Sequence, residues 1–372
     1  MVMDEMRERR LAVLVSYSGA GGVERMMTNL VTAFAADGQP LDLLLIRDDS
    51  EHLTALPSNV RVIRLGSRHA LTTVPALVRY LRRARPSVLL AAKDRAGRAA
   101  LIARALAGID TRIVIRLGTH LGAALEARHP LSRWLRTAPM HLLYRHADAV
   151  IAVSEGVAAD TARITGLAPG RIHVVRNPVV TATLQAGAAQ PVPHPWLEAS
   201  VPVILGIGRL TRQKDFPTLL HAFARLRAER PARLILLGEG HDRATLERQA
   251  AELGVAADVA LPGFQSNVYA WLARARLFVL SSAWEGSPNA LTEALALGIP
   301  VVATDCPSGP RELLQDGRIA PLVPVGDAGA LAAAMRQVLD APPSPDILRA
   351  AVTEYRADVA AGHYLEILRG NP

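Results

Sequence analysis

Two carboxylates and a helix start stand together in residues 278–305, and their chemistry points to a ligand that carries both phosphate and hydroxyl groups. After an apolar run, Ser287 and Pro288 have the residue types of a helix N-cap and a first helical position. Free N–H groups at such a helix end attract phosphate. Glu285 and Glu293 would repel phosphate but can accept hydrogen bonds from hydroxyl groups. The stretch therefore predicts a site for a sugar nucleotide.

A second polar pair, Arg209 and Lys214, follows an apolar strand predicted at 202–206. Their spacing across a turn and a helix start lets both converge on one diphosphate, Arg as a planar fork of donors and Lys as a compact charge. The chain contains only two lysines, Lys93 and Lys214, so each can mark a place that needs an ammonium group. Solvated surface charge is the alternative for this pair, as it is for each glutamate considered alone.

Two further side chains could contact such a ligand. His120 follows a strand predicted at 112–116, where an imidazole can donate to a hydroxyl group or polarise it. Phe264, after a strand predicted at 257–261, either lies beside a nucleobase or belongs to the core. No Asp-x-Asp, His-x-x-x-His or Cys/His cluster occurs in the sequence, so no bound metal is predicted.

The composition restricts the class of protein. Half of the 372 residues are apolar, which predicts a large core divided over two or three domains. The single cysteine, Cys306, excludes a disulfide framework and is typical of a reducing compartment, where we expect it to be a small buried side chain. The sequence lacks the pattern of a signal peptide and any uninterrupted apolar run of about 18 residues, so no membrane span is expected.

The charge is unevenly distributed. Residues 1–190 contain 25 Arg and Lys against 15 Asp and Glu, whereas residues 191–372 contain 17 against 19. A basic half can bind nucleic acid or anionic lipid. Aromatic residues make up only 4% of the chain and no nucleic-acid-binding motif occurs, so an anionic membrane surface is favoured over nucleic acid. Solvated helix faces are the simpler alternative.

The elements that must position these groups alternate between apolar strands and helical patterns. This alternation predicts an α/β fold of two Rossmann-like, doubly wound domains that face each other across a cleft. We assign residues 1–177 to the first domain and 201–350 to the second, nucleotide-sugar-binding domain. Residues 178–200 contain four prolines and little periodicity, which predicts a linker. A final helix is predicted at about 346–369. We assign residues 351–372 to a separate C-terminal segment, whose helix can cross back to the first domain.

Several short motifs are spread over nearly the whole chain. They are Gly21-Gly22-Val23-Glu24-Arg25, Gly208-Arg209-Leu210 with Lys214-Asp215, Leu237-Gly238-Glu239-Gly240, Ser282 with Glu285-Gly286, Glu293-Ala294-Leu295, and Gly298-Ile299-Pro300-Val301-Val302-Ala303. Together they resemble the motifs of GT-B fold glycosyltransferases of family 4. The resemblance is stronger in the second half, where seven residues separate the two glutamates.

The resemblance implies a retaining enzyme without metal or other cofactor, which moves a hexose or N-acetylhexosamine from a nucleotide-diphosphate sugar to a lipid-linked or cell-surface glycan acceptor. Polysaccharide or lipopolysaccharide biosynthesis is the implied context. The implied location is cytoplasmic, as a peripheral protein on the inner face of the cytoplasmic membrane.

The resemblance also implies roles for individual residues. Arg209 and Lys214 hold the diphosphate and stabilise the departing charge. Glu285 contacts the transferred sugar, Glu293 the ribose hydroxyls, and His120 lies near the sugar. Ser287 replaces a bulky apolar residue that is common in the family, so we expect a different sugar pocket. The remaining implied donor-binding residues are Gly21, Gly22, Phe264, Gly286, Pro288, Asn289, Ala290 and Leu291.

Two alternative functions remain open from the sequence. An NAD(P)-dependent oxidoreductase would use the glycine turn around Gly19 and Gly21, with Asp42 at the distance expected for the carboxylate that binds the ribose. A non-catalytic sugar-nucleotide sensor would bind the same ligand without turnover.

Overall fold

The computed structural model describes residues 10–17, 22–49, 53, 56–67, 69–126 and 128–370. The chain divides into two compact units. The first unit runs to Pro178 and resumes at Arg356, and the second is Val179–Tyr355. Each unit contains one sheet in which every paired strand is parallel, so the predicted pair of Rossmann-like α/β domains is confirmed.

The first unit has a seven-stranded sheet with the order β3-β2-β1-β4-β5-β6-β7. Successive side chains of a strand point to opposite faces, and Val13 and Leu14 of the first strand accordingly belong to different apolar cores. Both faces are therefore covered, as expected for a parallel sheet. The strands are β1 (Leu11–Tyr17), β2 (Leu41–Asp48), β3 (Val60–Arg64), β4 (Val88–Ala92), β5 (Arg112–Leu117), β6 (Ala149–Ala152) and β7 (Ile172–Val174). The helices are α1 (Gly22–Ala36), α2 (Val74–Ala84), α3 (Asp94–Ala107), α4 (Leu121–Leu125), α5 (Pro130–Leu143) and α6 (Glu155–Thr165).

The second unit has a six-stranded sheet with the order β10-β9-β8-β11-β12-β13. Two apolar cores again cover its faces. The strands are β8 (Val203–Ile207), β9 (Arg233–Leu237), β10 (Val259–Gly263), β11 (Leu277–Leu280), β12 (Val301–Thr304) and β13 (Leu322–Val323). The helices are α7 (Ala182–Ala188), α8 (Phe216–Glu229), α9 (Arg243–Glu252), α10 (Val268–Leu272), α11 (Asn289–Leu297), α12 (Pro310–Leu313), α13 (Ala328–Asp340) and α14 (Pro345–Ala350).

The stretch 178–200 differs from the predicted linker. It contains helix α7, capped by Thr181, whose hydroxyl accepts a hydrogen bond from the N–H of Leu184. Leu184 is fully buried and Val192 nearly so, and both belong to a core of the second unit. Apolar side chains placed between the prolines are thus sufficient to dock this segment, although the stretch lacks strong periodicity.

The end of the chain returns to the first unit as helix α15 (Ala357–Arg369). The ring of Tyr364 packs edge-on against that of Phe34 in α1, with ring centres 6.4 Å apart. The single helix predicted at 346–369 was wrong in one respect, because the structure divides it into α14, a 3₁₀ turn at Thr353–Tyr355 and α15. Arg356, extended at φ −65° and ψ 140°, interrupts the helical backbone.

Candidate functional site

The strand order of the second sheet reverses between β8 and β11. Ligands of doubly wound sheets bind at the carboxyl ends of the strands, at this kind of switch point. Lys214 lies in the loop after β8 and Glu285 in the loop after β11. The structure brings the two side chains together, with Lys214 Nζ 2.5 Å from Glu285 Oε1.

This ion pair is largely enclosed by protein. The Glu285 side chain is 8% exposed and that of Lys214 is 17% exposed. Ser282 Oγ donates a second hydrogen bond to Glu285 Oε1 at 2.7 Å, which fixes the carboxylate. Among the described residues no group donates to Glu285 Oε2. The carboxylate therefore keeps one oxygen for a further donor, such as a ligand hydroxyl group, and it is not the solvated loop charge of the alternative interpretation.

Gln213 joins the loops that carry the two charges. Its backbone carbonyl accepts from Ala283 N at 2.8 Å, and its side-chain amide donates to the carbonyl oxygen of Trp284 at 3.1 Å. The exposed Arg209 donates from Nη2 to Gln213 Oε1 at 3.2 Å. The structure thus holds Arg209 and Lys214 in one loop that is attached to the loop of Glu285.

Glycines allow the backbone in this region to approach very closely. A Cβ on Gly208 would lie 2.6 Å from Lys214 Cε, so a side chain at this position would displace the lysine. A Cβ on Gly238, where φ is +135°, would lie 2.0 Å from the carbonyl oxygen of Gly208. The tight Gly238-Glu239-Gly240 turn therefore accommodates the loop that carries Arg209 and Lys214.

Helix α11 begins one residue later than its capping pattern predicts. Pro288 occupies the N-cap position, with φ −78° and ψ 91°, and its carbonyl oxygen accepts from Thr292 N at 3.1 Å. The predicted Ser287 cap is wrong because the extended Pro288 is already the residue outside the helix. Pro288 has no side-chain donor or acceptor, so it provides no cap. The hydroxyl of Ser287 is instead buried, without a hydrogen-bond partner among the described residues.

The other predicted donor-site residues have contrasting environments. Glu293, on α11, is 6% exposed, so it is not a solvated helix residue. Phe264, directly after β10, is 47% exposed, which excludes the core position that was its alternative. Gly286, Pro288 and Leu291 are buried, whereas Asn289 and Ala290 are half-buried. Burial thus separates the candidates, but their contacts with a nucleotide sugar remain predictions.

Cys306 lies beside the ion pair but is not poised for nucleophilic chemistry. Its side chain is buried, with 3% of the residue exposed. Burial, and secondly the negative charge of Glu285, raise the pKa of the thiol to about 12. A thiol with this pKa stays protonated at neutral pH. Cys306 is therefore the small buried side chain that the sequence predicts.

In the first unit, His120 caps helix α4 after strand β5. Its Nδ1 accepts a hydrogen bond from Ala123 N at 3.2 Å and lies 3.6 Å from Oδ2 of the buried Asp160. In a neutral imidazole an accepting Nδ1 leaves the proton on Nε2. With 20% of its side chain exposed, His120 can thus offer Nε2–H as a donor.

The first unit has an ion pair of the same kind at the switch point of its sheet, which the sequence motifs did not predict. Its strand order reverses between β1 and β4, and Lys93 Nζ, after β4, lies 3.3 Å from Glu24 Oε1 in the first turn of α1. The rarity of lysine was the signal for Lys93, and the glycine motif contained Glu24. Gly22 is the first residue of α1, whereas Gly21 lies outside the described residues.

Two observations bear on cofactors. Asp42 lies near the amino end of β2, is fully buried, and accepts from Tyr80 Oη at 2.8 Å and from Arg61 Nε at 2.9 Å. A carboxylate that binds the ribose of NAD must lie at the carboxyl end of its strand, so Asp42 does not fit the oxidoreductase alternative. Within the described part of the chain, no three His, Cys, Asp or Glu side chains are grouped to hold a metal.

Among the described residues, no helix has the length and apolarity needed to cross a bilayer.

Comparisons with known proteins agree with this architecture. Residues 20–183 match the family model described as Glycosyltransferase Family 4, and residues 201–341 match Glycosyl transferases group 1. The chain is 29% identical over 370 residues to the lipopolysaccharide core biosynthesis glycosyltransferase LpsE of Rhizobium meliloti, covering 95% of this chain and 97% of the relative.

Two further comparisons are informative. The N-acetylgalactosamine-N,N'-diacetylbacillosaminyl-diphospho-undecaprenol 4-alpha-N-acetylgalactosaminyltransferase of Campylobacter jejuni is 29% identical over 241 residues, 65% of this chain and 64% of the relative. The structure of Anabaena HepE in complex with UDP and glucose superposes with a TM-score of 0.77 at 20% identity, covering 98% of this chain and all of HepE. Each family model matches one of the two units, and the comparisons together show that the chain is a glycosyltransferase of the GT-B fold, similar to those of family 4.

Proposed function

We propose that this glycosyltransferase moves a hexose or N-acetylhexosamine, with retention of anomeric configuration, from a nucleotide-diphosphate sugar to a lipid-linked or cell-surface glycan. The observation that carries the proposal is the Lys214–Glu285 pair at the switch point of the second sheet, next to the start of α11. The names of the relatives support the substrate classes. One acts in lipopolysaccharide core synthesis, one on a diphospho-undecaprenol glycan, and HepE was solved with UDP and glucose.

The diphosphate of the donor is assigned to Arg209, Lys214 and the N-terminus of α11. Both cations lie in the loop after β8, and the positive end of the helix dipole attracts anions. When the sugar leaves, negative charge develops on the diphosphate. Cations that are already in place stabilise this charge without reorganisation. These groups supply the role that a metal has in other phosphate sites, so we expect transfer without an added metal.

The sugar and the ribose are assigned to the two glutamates. Ser282 and Lys214 hold Glu285 through Oε1, and Oε2 can accept a hydrogen bond from a hydroxyl group of the transferred sugar. Glu293 is assigned to the ribose hydroxyls. The arrangement separates positive charge for phosphate from negative charge for hydroxyls within one site. This separation fits a nucleotide sugar better than a simple phosphate ester.

A ligand panel tests the proposal directly. Thermal shifts are measured with UDP-, GDP- and ADP-sugars and with NAD(P), together with nucleotide release and the anomeric configuration of the product by NMR. We expect stabilisation by one nucleotide sugar or its diphosphate, lost in Lys214→Ala and weakened in Glu293→Gln. The exposed Arg212 and Glu366 provide matched controls as Arg212→Ala and Glu366→Gln, which should leave the shift unchanged.

Each alternative predicts a different result from the same panel. Stabilisation by NAD(P) alone contradicts the proposal, and binding without nucleotide release identifies a sensor. Loss of transfer on treatment with EDTA, restored by a divalent cation, contradicts the metal-independent mechanism. An inverted product contradicts retention but leaves the donor site intact.

The acceptor and the location complete the proposal. We assign the acceptor to the first unit, on the side of His120, and place the enzyme in the cytoplasm, peripheral on the inner face of the cytoplasmic membrane. The basic first half of the chain and the single cysteine support this placement.

A further inference from the structure

Helix α4, which directly follows His120, is too short to keep its place without help. It has five residues, Leu121–Leu125, and the second of them is Gly122, a weak helix former. Isolated helices of this length are not stable in water, so contacts from outside the helix must fix it. Whatever fixes α4 also fixes the imidazole of His120, because that ring caps the same helix.

Two side chains accept the free N–H groups at the start of α4. His120 Nδ1 accepts from Ala123 N at 3.2 Å, and Asp160 Oδ2 accepts from Gly122 N at 2.9 Å. These N–H groups have no partner inside the helix, and a carboxylate beside them interacts favourably with the helix dipole. His120 and Asp160 therefore cap α4 together, with Nδ1 and Oδ2 only 3.6 Å apart.

Asp160 is itself held firmly in place. It lies in the middle of α6, and only 3% of its side chain is exposed. Its Oδ1 accepts a hydrogen bond from Arg163 Nη2, about one turn further along the same helix. A buried carboxylate needs such donors, because an unpaired charge is costly to bury. The two oxygens of Asp160 thus have different tasks, one within α6 and the other on α4.

Gly122 completes the fit between α4 and α6. A Cβ at this position would lie 2.5 Å from Asp160 Oδ1 and still closer to Arg163 Nη2. Any residue with a side chain would therefore push the carboxylate or the guanidinium away. The N–H of Gly122 reaches Asp160 because no Cβ stands between them.

This contact determines how the imidazole of His120 is presented. While Nδ1 accepts from Ala123 N, the neutral ring carries its proton on Nε2. A loosened α4 would free Nδ1, and the ring could then rotate or exchange tautomers. We propose that Asp160 is a positioning residue, which acts through Gly122 to keep His120 in one orientation with Nε2–H as its donor. The proposal rests on the proposed function only for the use of this donor in sugar transfer.

NMR of the full chain tests the positioning without a substrate. With ¹⁵N-labelled histidine, the signal of His120 is the one missing in His120→Asn, and its nitrogen shifts report the tautomer. At about pH 8, where an ordinary histidine is neutral, we expect the Nε2–H tautomer in the unmodified protein. Asp160→Ala should give a mixture of tautomers. Asp160→Asn should keep the single tautomer, since its amide oxygen can still accept from Gly122 N.

Turnover provides a second test. Release of nucleotide is measured with saturating amounts of the nucleotide sugar that the ligand panel selects. Asp160→Ala should lower kcat by about tenfold to hundredfold, as expected when a catalytic group is displaced by about 1 Å, and should leave KM for the donor unchanged. In His120→Asn, the added Asp160→Ala should cost less than about twofold more, because no imidazole is left to position.

Asp148 provides a matched control in the same unit. Like Asp160, it accepts from one backbone N–H and one arginine, namely Ile113 N at 2.7 Å and Arg104 Nη1 at 2.6 Å. These contacts lie at the amino end of β5, whereas His120 follows its carboxyl end. Asp148→Ala should therefore lower the melting temperature without changing the tautomer of His120 or kcat.

Several results would overturn the proposal. One is a single tautomer with unchanged kcat in Asp160→Ala, and another is an equal effect of Asp148→Ala on the tautomer. A third is an Asp160→Asn variant as impaired as Asp160→Ala, because His120 would then depend on the negative charge and not on the hydrogen bond to Gly122. Mixed tautomers in Asp160→Ala together with full activity in His120→Asn would support the positioning and reject only the proposed use of His120.

Discussion

Lys93 and Glu24 form an ion pair of 3.3 Å across the point where the strand order of the first sheet reverses. Lys214 and Glu285 form the corresponding pair of 2.5 Å in the second sheet. The positions of lysine and glutamate are exchanged between the two sheets. Glu24 follows β1, the first strand of its sheet, whereas Lys214 follows β8, the first strand of the other sheet. The only two lysines of the chain thus lie on opposite sides of two equivalent switch points, each beside a carboxylate that is largely buried.

The backbone of Lys93 is strained, which gives a test of stability. Its φ of 77° and ψ of 152° belong to a region that is essentially restricted to glycine. Lys93→Gly and Lys93→Ala both lose the ion pair with Glu24, but only glycine relieves the strain. We expect Lys93→Gly to exceed Lys93→Ala in free energy of unfolding by about 1–2 kcal/mol in urea titrations. Glu24→Gln isolates the effect of the ion pair, and an alanine variant as stable as the glycine variant would contradict the strain.

Ser287 separates stability from donor recognition. Its buried hydroxyl has no partner among the described residues, so Ser287→Ala removes no hydrogen bond that we observe. The free energy of unfolding should stay the same or rise by up to about 1 kcal/mol. If the hydroxyl contacts the transferred sugar, KM for the donor should rise in Ser287→Ala while the affinity for the free nucleotide diphosphate is unchanged. Ser282→Ala, which loses the hydrogen bond to Glu285, should instead destabilise the protein.

His120 has a structural and a proposed catalytic role, and one substitution can separate them. Asparagine is a good N-cap, so His120→Asn should keep helix α4 capped, whereas His120→Ala should lose about 0.5–2 kcal/mol of unfolding free energy. Both variants lack the Nε2–H donor. We expect kcat to fall in both by a similar factor, measured with saturating donor. Full activity in His120→Asn would restrict the residue to capping.

The sequence predicted most of the strands because each is a short apolar run between turn residues. It also located Glu285 and Glu293, since a helix start with nearby carboxylates is a local pattern. The contact between Lys214 and Glu285 was not predictable in the same way. The two residues are 71 positions apart, and only the order β8-β11 in the sheet makes their loops neighbours.

The errors also have local physical causes. The N-cap of α11 is Pro288 and not the predicted Ser287. A proline in extended conformation can accept the first helical hydrogen bond with its carbonyl oxygen while it stays outside the helix. The segment around α7 resembled a linker because its few apolar side chains lack a clear period, although two of them, Leu184 and Val192, are buried in a core of the second unit. Sequence patterns report periodicity, whereas docking requires only a few well-placed apolar contacts.

Cys306 gives a prediction for the dependence of stability on pH. Burial and the charge of Glu285 raise the pKa of its thiol from 9.0 to about 12 in the folded protein. The folded chain thus retains a proton that the unfolded chain releases above pH 9.0, so the contribution of the thiol is fully present below that pH and is lost as the pH rises towards about 12. Between about pH 8 and about pH 10.5, the unmodified protein should lose about 2 kcal/mol more unfolding free energy than Cys306→Ala. The raised pKa of Tyr17 acts in the same pH range but is common to both proteins, so it cancels in the comparison. Parallel pH profiles in urea titrations would show that the thiol titrates alike in the folded and unfolded chains, and would contradict its burial beside Glu285.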